Sequence, residues 1–265
     1  MSAGNLPPGR ATPIGANPSF VDLLSSWRPD SLPRLASGAD LPGIAHGTTI
    51  LALKFDGGVV MAGDRQATAG YEIAQDRVEK VFAADDFSAI AISGAAGQAV
   101  EIVKLFQIEL EHYEKITGDR LSLDGKANRL AQMIRGNLGL AMQAGLGVVP
   151  LFAGFDGPRG QGRIFQYDLS GGRWEEPDFH ADGSGGRAAS SSLRKRWTPR
   201  LDLSGGLEVA AEALIDASRE DAATGGPDPI RGIYPTVLVV DAAGARKLHD
   251  DDVAAAVAAV LARNA

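Results

Sequence analysis

The chain has 265 residues, 45% of them hydrophobic and 22% charged, with a formal net charge of −7. This composition is typical of a globular protein with a sizeable core, and the acidic balance argues against a nucleic-acid or membrane surface. The chain has no cysteine, which excludes disulfides, a thiol nucleophile and thiolate metal ligands. Because we also find no membrane-length apolar run and no secretory signal, we expect a cytoplasmic protein.

The first 47 residues differ from the rest of the chain. They are rich in Pro, Gly and Ser and carry three Arg and three Asp, so the whole net charge of −7 lies on residues 48–265. Composition leaves two interpretations open, a disordered tail with a docking motif or a propeptide that is removed.

Regular patterns begin at Thr48. The runs "TILALKF" and "VVMAGD" flank "DGG", which is a strong hairpin signal, and "VEKVFAA" and "FSAIAIS" flank "DD" as a second strand pair. Two helices follow, each predicted from one apolar face. The first face comprises Ala99, Ile102, Val103, Phe106, Leu110 and Tyr113, and the second Leu130, Met133, Ile134, Leu138 and Met142.

The second half of the chain returns to strands. "GVVPLFAGFD", "GRIFQYD" and "RWEEPDF" read as strands, "LEVAAEALIDASRED" as a helix, "PTVLVVD" as a strand, and the C-terminal residues as a last helix. Antiparallel strand pairs with helices in separate blocks predict an α+β fold, with two packed sheets covered by helices.

Several common chemistries find no support in the sequence. It contains no phosphate-binding P-loop, no H-E-x-x-H zinc helix and no G-x-S-x-G elbow, and its four histidines show no ligand spacing. We therefore expect no metal and no cofactor, and a Ser-His-Asp hydrolase is unsupported.

Thr48 offers a different nucleophile. If the Gly47–Thr48 bond is cut, Thr48 carries a free α-amine with a reference pKa of about 7.7–8.0 beside its own hydroxyl, so one residue supplies both base and nucleophile. Gly47 has no Cβ, which permits the strained backbone that self-cleavage requires. A threonine that merely opens a strand remains the alternative.

Three further residues would complete such a site. Lys80, predicted in the middle of the strand "RVEKVF", has apolar same-face neighbours and needs a buried partner, for which Asp64 at the end of "VVMAGD" is a candidate. Gly94 lies where a strand turns into a helix and could donate its N–H to an oxyanion. An ordinary strand-edge ion pair and a loop glycine are the alternatives.

Together these pieces resemble the catalytic β subunit of the proteasome core particle, of the actinobacterial type. The resemblance runs from about residue 46 to about residue 250 and rests on several spaced motifs: "HGTTILALKFDGGVVMAGDR", "RVEKVF", "AISGAAGQAVE", "LEHYEK", "RGNLGLAMQ", "GSGG" and "ASREDAATGGPDPIRGIYPT". It implies the four-layer αββα sandwich of N-terminal nucleophile hydrolases. It also implies a propeptide of residues 1–47, removed autocatalytically, and a catalytic domain of residues 48–265.

The resemblance assigns roles by position. It implies that Thr48 is the nucleophile, that Asp64 and Lys80 form the charged pair beside it, and that Gly94 is the oxyanion donor. Three more residues, matching the group that orients the terminal amine and its water, are Ser184, Asp221 and Thr224. Thr224 replaces the serine of many relatives but keeps the hydroxyl, whereas Gln66 replaces an arginine near Asp64.

Substrate positions follow from the same resemblance. Thr68 and Gly70 match residues that bind the substrate backbone. The wall of the specificity pocket matches four apolar residues, Ala67, Val78, Ile92 and Ala96. We therefore expect cleavage after hydrophobic residues.

The resemblance also implies an assembly. Seven-membered rings of β copies would stack with α-type subunits, and a ring-shaped ATPase would feed unfolded or tagged proteins into the chamber. Two alternatives remain open: a catalytically silent β-type subunit that serves assembly, and the simpler bacterial threonine peptidase of six-membered rings.

Overall fold

The computed structural model describes residues 47–69, 72–139 and 147–263. Residues 1–46 of the expected propeptide, Gly70 and Met142 lie outside the described residues. Ala96 is described in its backbone only. The strands are β1 (Thr49–Phe55), β2 (Gly58–Gly63), β3 (Ala67–Ala69), β4 (Glu72–Gln75), β5 (Val81–Asp85), β6 (Ser88–Gly94), β7 (Val148–Asp156), β8 (Gln161–Tyr167), β9 (Arg173–Glu176), β10 (Phe179–Gly183), β11 (Thr236–Asp241) and β12 (Gly244–Lys247). The helices are α1 (Ala96–Thr117), α2 (Leu123–Gly136), α3 (Gly186–Arg196), α4 (Leu203–Glu220) and α5 (Asp250–Arg263).

Local sequence explains where helices begin and end. Ser122 and Asp202 precede α2 and α4, and each side chain accepts a backbone N–H from the first helical turn. Helix α1 ends at Gly118, whose φ of +76° suits glycine, and its N–H bonds the carbonyl of Glu114. The stretch "GFDGPRGQGR" contains the hairpin connection between β7 and β8, with a short 3₁₀ turn at Gly157–Arg159.

Two five-stranded antiparallel sheets form the centre of the fold. The first has the strand order β10-β1-β2-β11-β12, and the second has the order β5-β6-β7-β8-β9. Strands β3 and β4 form a separate pair. Both predicted hairpins are present, with β1 paired to β2 and β5 paired to β6.

Alternating side chains on the strands create three buried layers. On β1, Ile50 and Ala52 face the second sheet and pack with Leu151 of β7, whereas Leu51 and Leu53 pack beneath α3, α4 and α5. The third layer joins the second sheet to α1 and α2. The order of layers is therefore helix, sheet, sheet, helix, which confirms the predicted αββα sandwich.

Some local predictions were wrong. Lys80 precedes β5 instead of lying inside it, although its carbonyl still accepts the N–H of Ile92 at 2.9 Å. Tyr113, placed on the buried face of α1, is 41% exposed, because the buried part of this face ends at Leu110. The run "RWEEPDF" is not one strand: β9 ends at Glu176, and after Pro177 the chain crosses to the other sheet as β10.

Candidate active site

Thr48 directly precedes β1, which pairs with the edge strand β10 of the first sheet. The Thr48 side chain is buried, and its Oγ donates to the carbonyl oxygen of Gly47 at 2.5 Å. Thr49 pairs with Gly183 of β10, whose φ is +94° and whose missing Cβ would lie 2.0 Å from the Thr48 carbonyl oxygen. Only glycine at position 183 lets β10 approach this closely.

A series of hydrogen-bonded side chains begins at the Thr48 nitrogen. The Thr48 N–H points to Ser184 Oγ at 3.4 Å, and that hydroxyl donates to Asp221 Oδ2 at 2.5 Å. Thr224 donates to the same carboxylate oxygen at 2.6 Å. Because the Thr224 proton is used in this way, the 2.6 Å bond between the threonine hydroxyls is donated by Thr49.

The charge of Asp221 is stabilised where it lies. Partial burial would raise the pKa of its carboxyl group, but hydrogen bonds from Ser184, Thr224 and the Ala223 N–H, together with the positive charge of Lys80, lower that pKa. Asp221 therefore holds a fixed negative charge near the Thr48 nitrogen.

A second cluster lies on the other side of Thr48. Asp64, fully buried, follows β2, and its Oδ1 accepts from the Thr49 N–H at 2.8 Å and from Lys80 Nζ at 2.7 Å. Its Oδ2 accepts backbone N–H groups from Gln66 at 2.9 Å and Gly225 at 3.0 Å. Four donors thus satisfy a carboxylate that has no access to water.

Lys80 is the cation of this cluster. Its Nζ also donates to the carbonyl oxygens of Gly47, at 3.0 Å, and Gln66, at 2.5 Å. Burial lowers the pKa of the Lys80 ammonium group, and the charge of Asp64 opposes that shift. Lys80 Nζ and Thr48 Oγ therefore donate to the same oxygen, that of the Gly47–Thr48 peptide bond.

Gly94 closes the site from the second sheet. It ends β6 with a φ of +106°, and a Cβ there would lie 2.1 Å from the Gly147 carbonyl oxygen. A small cavity of about 30 Å³ separates Gly94 from Thr48. Its walls include three residues expected in the specificity pocket, Ala67, Val78 and Ile92. Thr68 is also close, since a Cβ on Gly47 would lie 2.6 Å from its Oγ.

The sequence did not predict some of the contacts around the site. Ala99 and Val100 line the same cavity, and their place in the first turns of the helix after Gly94 is the signal that could have found them. Thr49, next to the candidate nucleophile, bonds Thr224. The Gln66 side chain, noted above only as a replacement for the arginine of many relatives, donates its amide N–H to the Ala222 carbonyl oxygen at 3.0 Å, next to Asp221.

Within the described ranges, no helix combines the length and the apolarity needed to cross a bilayer. In the same part of the chain, no cluster of three or more His, Cys, Asp or Glu side chains is arranged to hold a metal ion.

The layered fold and the position of Thr48 define the class of protein. An αββα sandwich with a threonine at the start of its first central strand is the architecture of the N-terminal nucleophile hydrolases. The family model described as "Proteasome subunit" matches residues 44–230. The chain belongs to the proteasome subunit family.

Similar proteins narrow the family to its β branch. The chain is 55% identical to the proteasome subunit beta of Acidimicrobium ferrooxidans, over 88% of this chain and 85% of that one. It is 53% identical to the proteasome subunit beta of Acidothermus cellulolyticus, over 92% and 86% of the two chains. It is 51% identical to that of Frankia casuarinae, over 98% and 95%. The last match therefore extends into the segment before Gly47. These likenesses support a β subunit of the proteasome core.

Proposed function

We propose that the chain is a catalytic β subunit, a threonine endopeptidase made as a precursor whose residues 1–47 are removed by self-cleavage before Thr48. The observation that carries this proposal is the convergence of two polar clusters on Thr48, one buried and the other partly exposed. Lys80 with Asp64 lies on one side, and Ser184 with Asp221 and Thr224 lies on the other. A threonine that merely opened a strand would require neither cluster.

Self-cleavage would use the bond between Gly47 and Thr48. Thr48 Oγ attacks the Gly47 carbonyl carbon, the C–N bond breaks, and the Thr48 nitrogen takes up the proton that the hydroxyl gives up. Water then hydrolyses the resulting ester, which leaves a carboxylate on Gly47 and a free amine and hydroxyl on Thr48. Lys80, which donates to the Gly47 carbonyl oxygen at 3.0 Å, stabilises the negative charge that develops there.

Peptide cleavage would use the freed amine of Thr48. The amine, in its neutral form and held near Ser184, accepts the Oγ proton directly or through a water while Oγ attacks the substrate carbonyl. The Gly94 N–H stabilises the oxyanion, an interaction worth about 3–4 kcal/mol per donor. The peptide C–N bond then breaks as the departing amine takes that proton from the Thr48 ammonium group, and water hydrolyses the acyl-ester to regenerate Thr48.

The apolar wall of the cavity supports cleavage after hydrophobic residues. Ala67, Val78 and Ile92, which have hydrocarbon side chains, line it together with Glu79 and Lys80. From the family resemblance we add Ala96 to the wall of this pocket, and we assign Thr68 and Gly70 to binding of the substrate backbone. The family also supports rings of β subunits stacked with α-type subunits and fed by a ring-shaped ATPase with unfolded or tagged proteins. We place this particle in the cytoplasm.

The test is Thr48→Ala in the chain co-expressed with its α-type partner. Mass spectrometry should find the wild-type N-terminus at Thr48, and fluorogenic peptides with a hydrophobic residue before the cleaved bond should be hydrolysed. Thr48→Ala should retain residues 1–47 and show no hydrolysis. A wild-type subunit that stays intact and inactive in an assembled particle would instead identify a silent subunit.

A further inference from the structure

A polar bridge joins the two sheets beside the candidate site. Ser93 of β6 is 6% exposed, and its Oγ lies 3.0 Å from Asp182 Oδ2 of β10. The Val149 carbonyl oxygen is also 3.0 Å from Ser93 Oγ. Both neighbours are acceptors when Asp182 is ionised, so Ser93 is the donor, and the charged carboxylate makes the stronger hydrogen bond.

Each end of this bridge is next to a residue of the site. Ser93 directly precedes Gly94, the proposed oxyanion donor on the second sheet. Asp182 is followed by Gly183, which ends β10, and by Ser184, and both of these residues lie against Thr48. One hydrogen bond therefore links β6, which carries the proposed oxyanion donor, to β10, which pairs with β1 beside Thr48.

The surroundings explain why a bridge is useful at this point. Most side chains in the layer between the two sheets are apolar, among them Ile50, Ala91 and Leu151, and the buried ion pair of Lys80 and Asp64 lies beside Thr48. Apolar contacts are non-directional, so they keep the sheets together without fixing how the strands are offset. A hydrogen bond restricts both distance and angle.

We propose that Ser93 and Asp182 are positioning residues for peptide-bond hydrolysis, and that their hydrogen bond holds the Gly94 N–H at the correct place relative to Thr48 Oγ. This inference rests on the proposed threonine peptidase function and deepens it. Neither residue touches the substrate. Because an oxyanion donor acts mainly in the transition state, a misplaced Gly94 lowers kcat and leaves KM nearly unchanged.

The experiment uses the assembled and processed particle with a fluorogenic peptide. Ser93→Ala should lower kcat about tenfold or more and change KM less than about twofold. Asp182→Ala should cause the same loss, and the double variant should be no worse than either single variant, because all three lack one bridge. Asp182→Asn keeps an oxygen acceptor for Ser93 and should retain kcat within about threefold.

The matched control is Ser88→Ala. Ser88 begins the same strand, is fully buried and donates to a carboxylate, that of Asp85, at 2.6 Å, but it lies at the opposite end from Gly94. Its loss should lower the melting temperature without lowering kcat. If Ser93→Ala has the kcat of Ser88→Ala, or if the losses from Ser93→Ala and Asp182→Ala multiply, the positioning role is wrong while the peptidase function stands. If Ser93→Ala does not assemble, the kcat of Asp182→Ala is compared with that of Ser88→Ala instead. A wild-type particle without Thr48-dependent hydrolysis would overturn the proposed function itself.

Discussion

Lys80 Nζ lies 2.7 Å from Asp64 Oδ1, and both side chains are buried. The two residues come from different sheets, since Asp64 follows β2 and Lys80 precedes β5. The two side chains differ in the other hydrogen bonds that they make. Asp64 also accepts three backbone N–H groups, whereas Lys80 otherwise donates only to carbonyl oxygens among the described contacts.

Because of this difference in partners, we expect Asp64→Ala to lower the free energy of unfolding more than Lys80→Met does. Asp64→Ala removes the acceptor of three backbone N–H groups and the counter-charge of the buried Lys80 ammonium, and we expect a loss of about 4 kcal/mol or more. Lys80→Met leaves the buried Asp64 carboxylate without its cation but with its three N–H donors, so we expect a smaller loss, of about 3 kcal/mol. Urea unfolding of both variants measures the two values, and a larger loss for Lys80→Met would contradict the assignment of Asp64 as the centre of this cluster.

The space around Gly47 predicts that this position must be glycine. A Cβ there would lie 2.6 Å from Thr68 Oγ, 2.7 Å from the Ala223 carbonyl oxygen and 2.8 Å from the Ala223 Cβ. Gly47→Ala must therefore displace the peptide bond next to Thr48, and we expect processing to slow by about 100-fold. Gly136→Ala, with no atom within 4 Å of the new methyl group, is the control. Mass spectrometry of the N-terminus over time should find it processed at the wild-type rate. Equal rates for both variants would exclude a steric requirement.

Two features of Gly94, its positive φ and its close packing against Gly147, disfavour any side chain at this position. Its φ is +106°, and a Cβ would lie 2.1 Å from the Gly147 carbonyl oxygen, whereas Gly118 has a φ of +76° with open space around it. Gly118→Ala should therefore cost only the backbone strain, about 1–2 kcal/mol. Gly94→Ala should cost more, about 3 kcal/mol or above, because neighbouring β7 must also move. Chemical denaturation compares the two, and equal losses would show that β7 accommodates the methyl group.

Local patterns explain which features the sequence could predict. The run "TILALKF" coincides with β1, because a short apolar run followed by a "DGG" turn identifies a hairpin without tertiary information. The hydrogen bonds of the candidate site could not be predicted in this way. The partners Thr49 and Thr224 are 175 residues apart, and Ser93 and Asp182 are 89 residues apart, so no local pattern connects them. The crossing of β10 to the first sheet, which creates the Ser184 contact, depends on the packing of the whole sandwich.

Asp221 predicts how one part of the stability depends on pH. Hydrogen bonds from Ser184 and Thr224 lower the pKa of its carboxyl group despite partial burial. A lowered pKa stabilises the fold above the unfolded value of about 3.9, and that stabilisation disappears as the pH falls through the folded pKa. The difference in unfolding free energy between wild type and Asp221→Asn should therefore stay constant from about pH 8 to pH 5 and shrink below about pH 4. Urea unfolding at several pH values measures this difference, with Asp119→Asn in the exposed turn after α1 as the control. A difference that already shrinks near neutral pH would mean that another group titrates in its place.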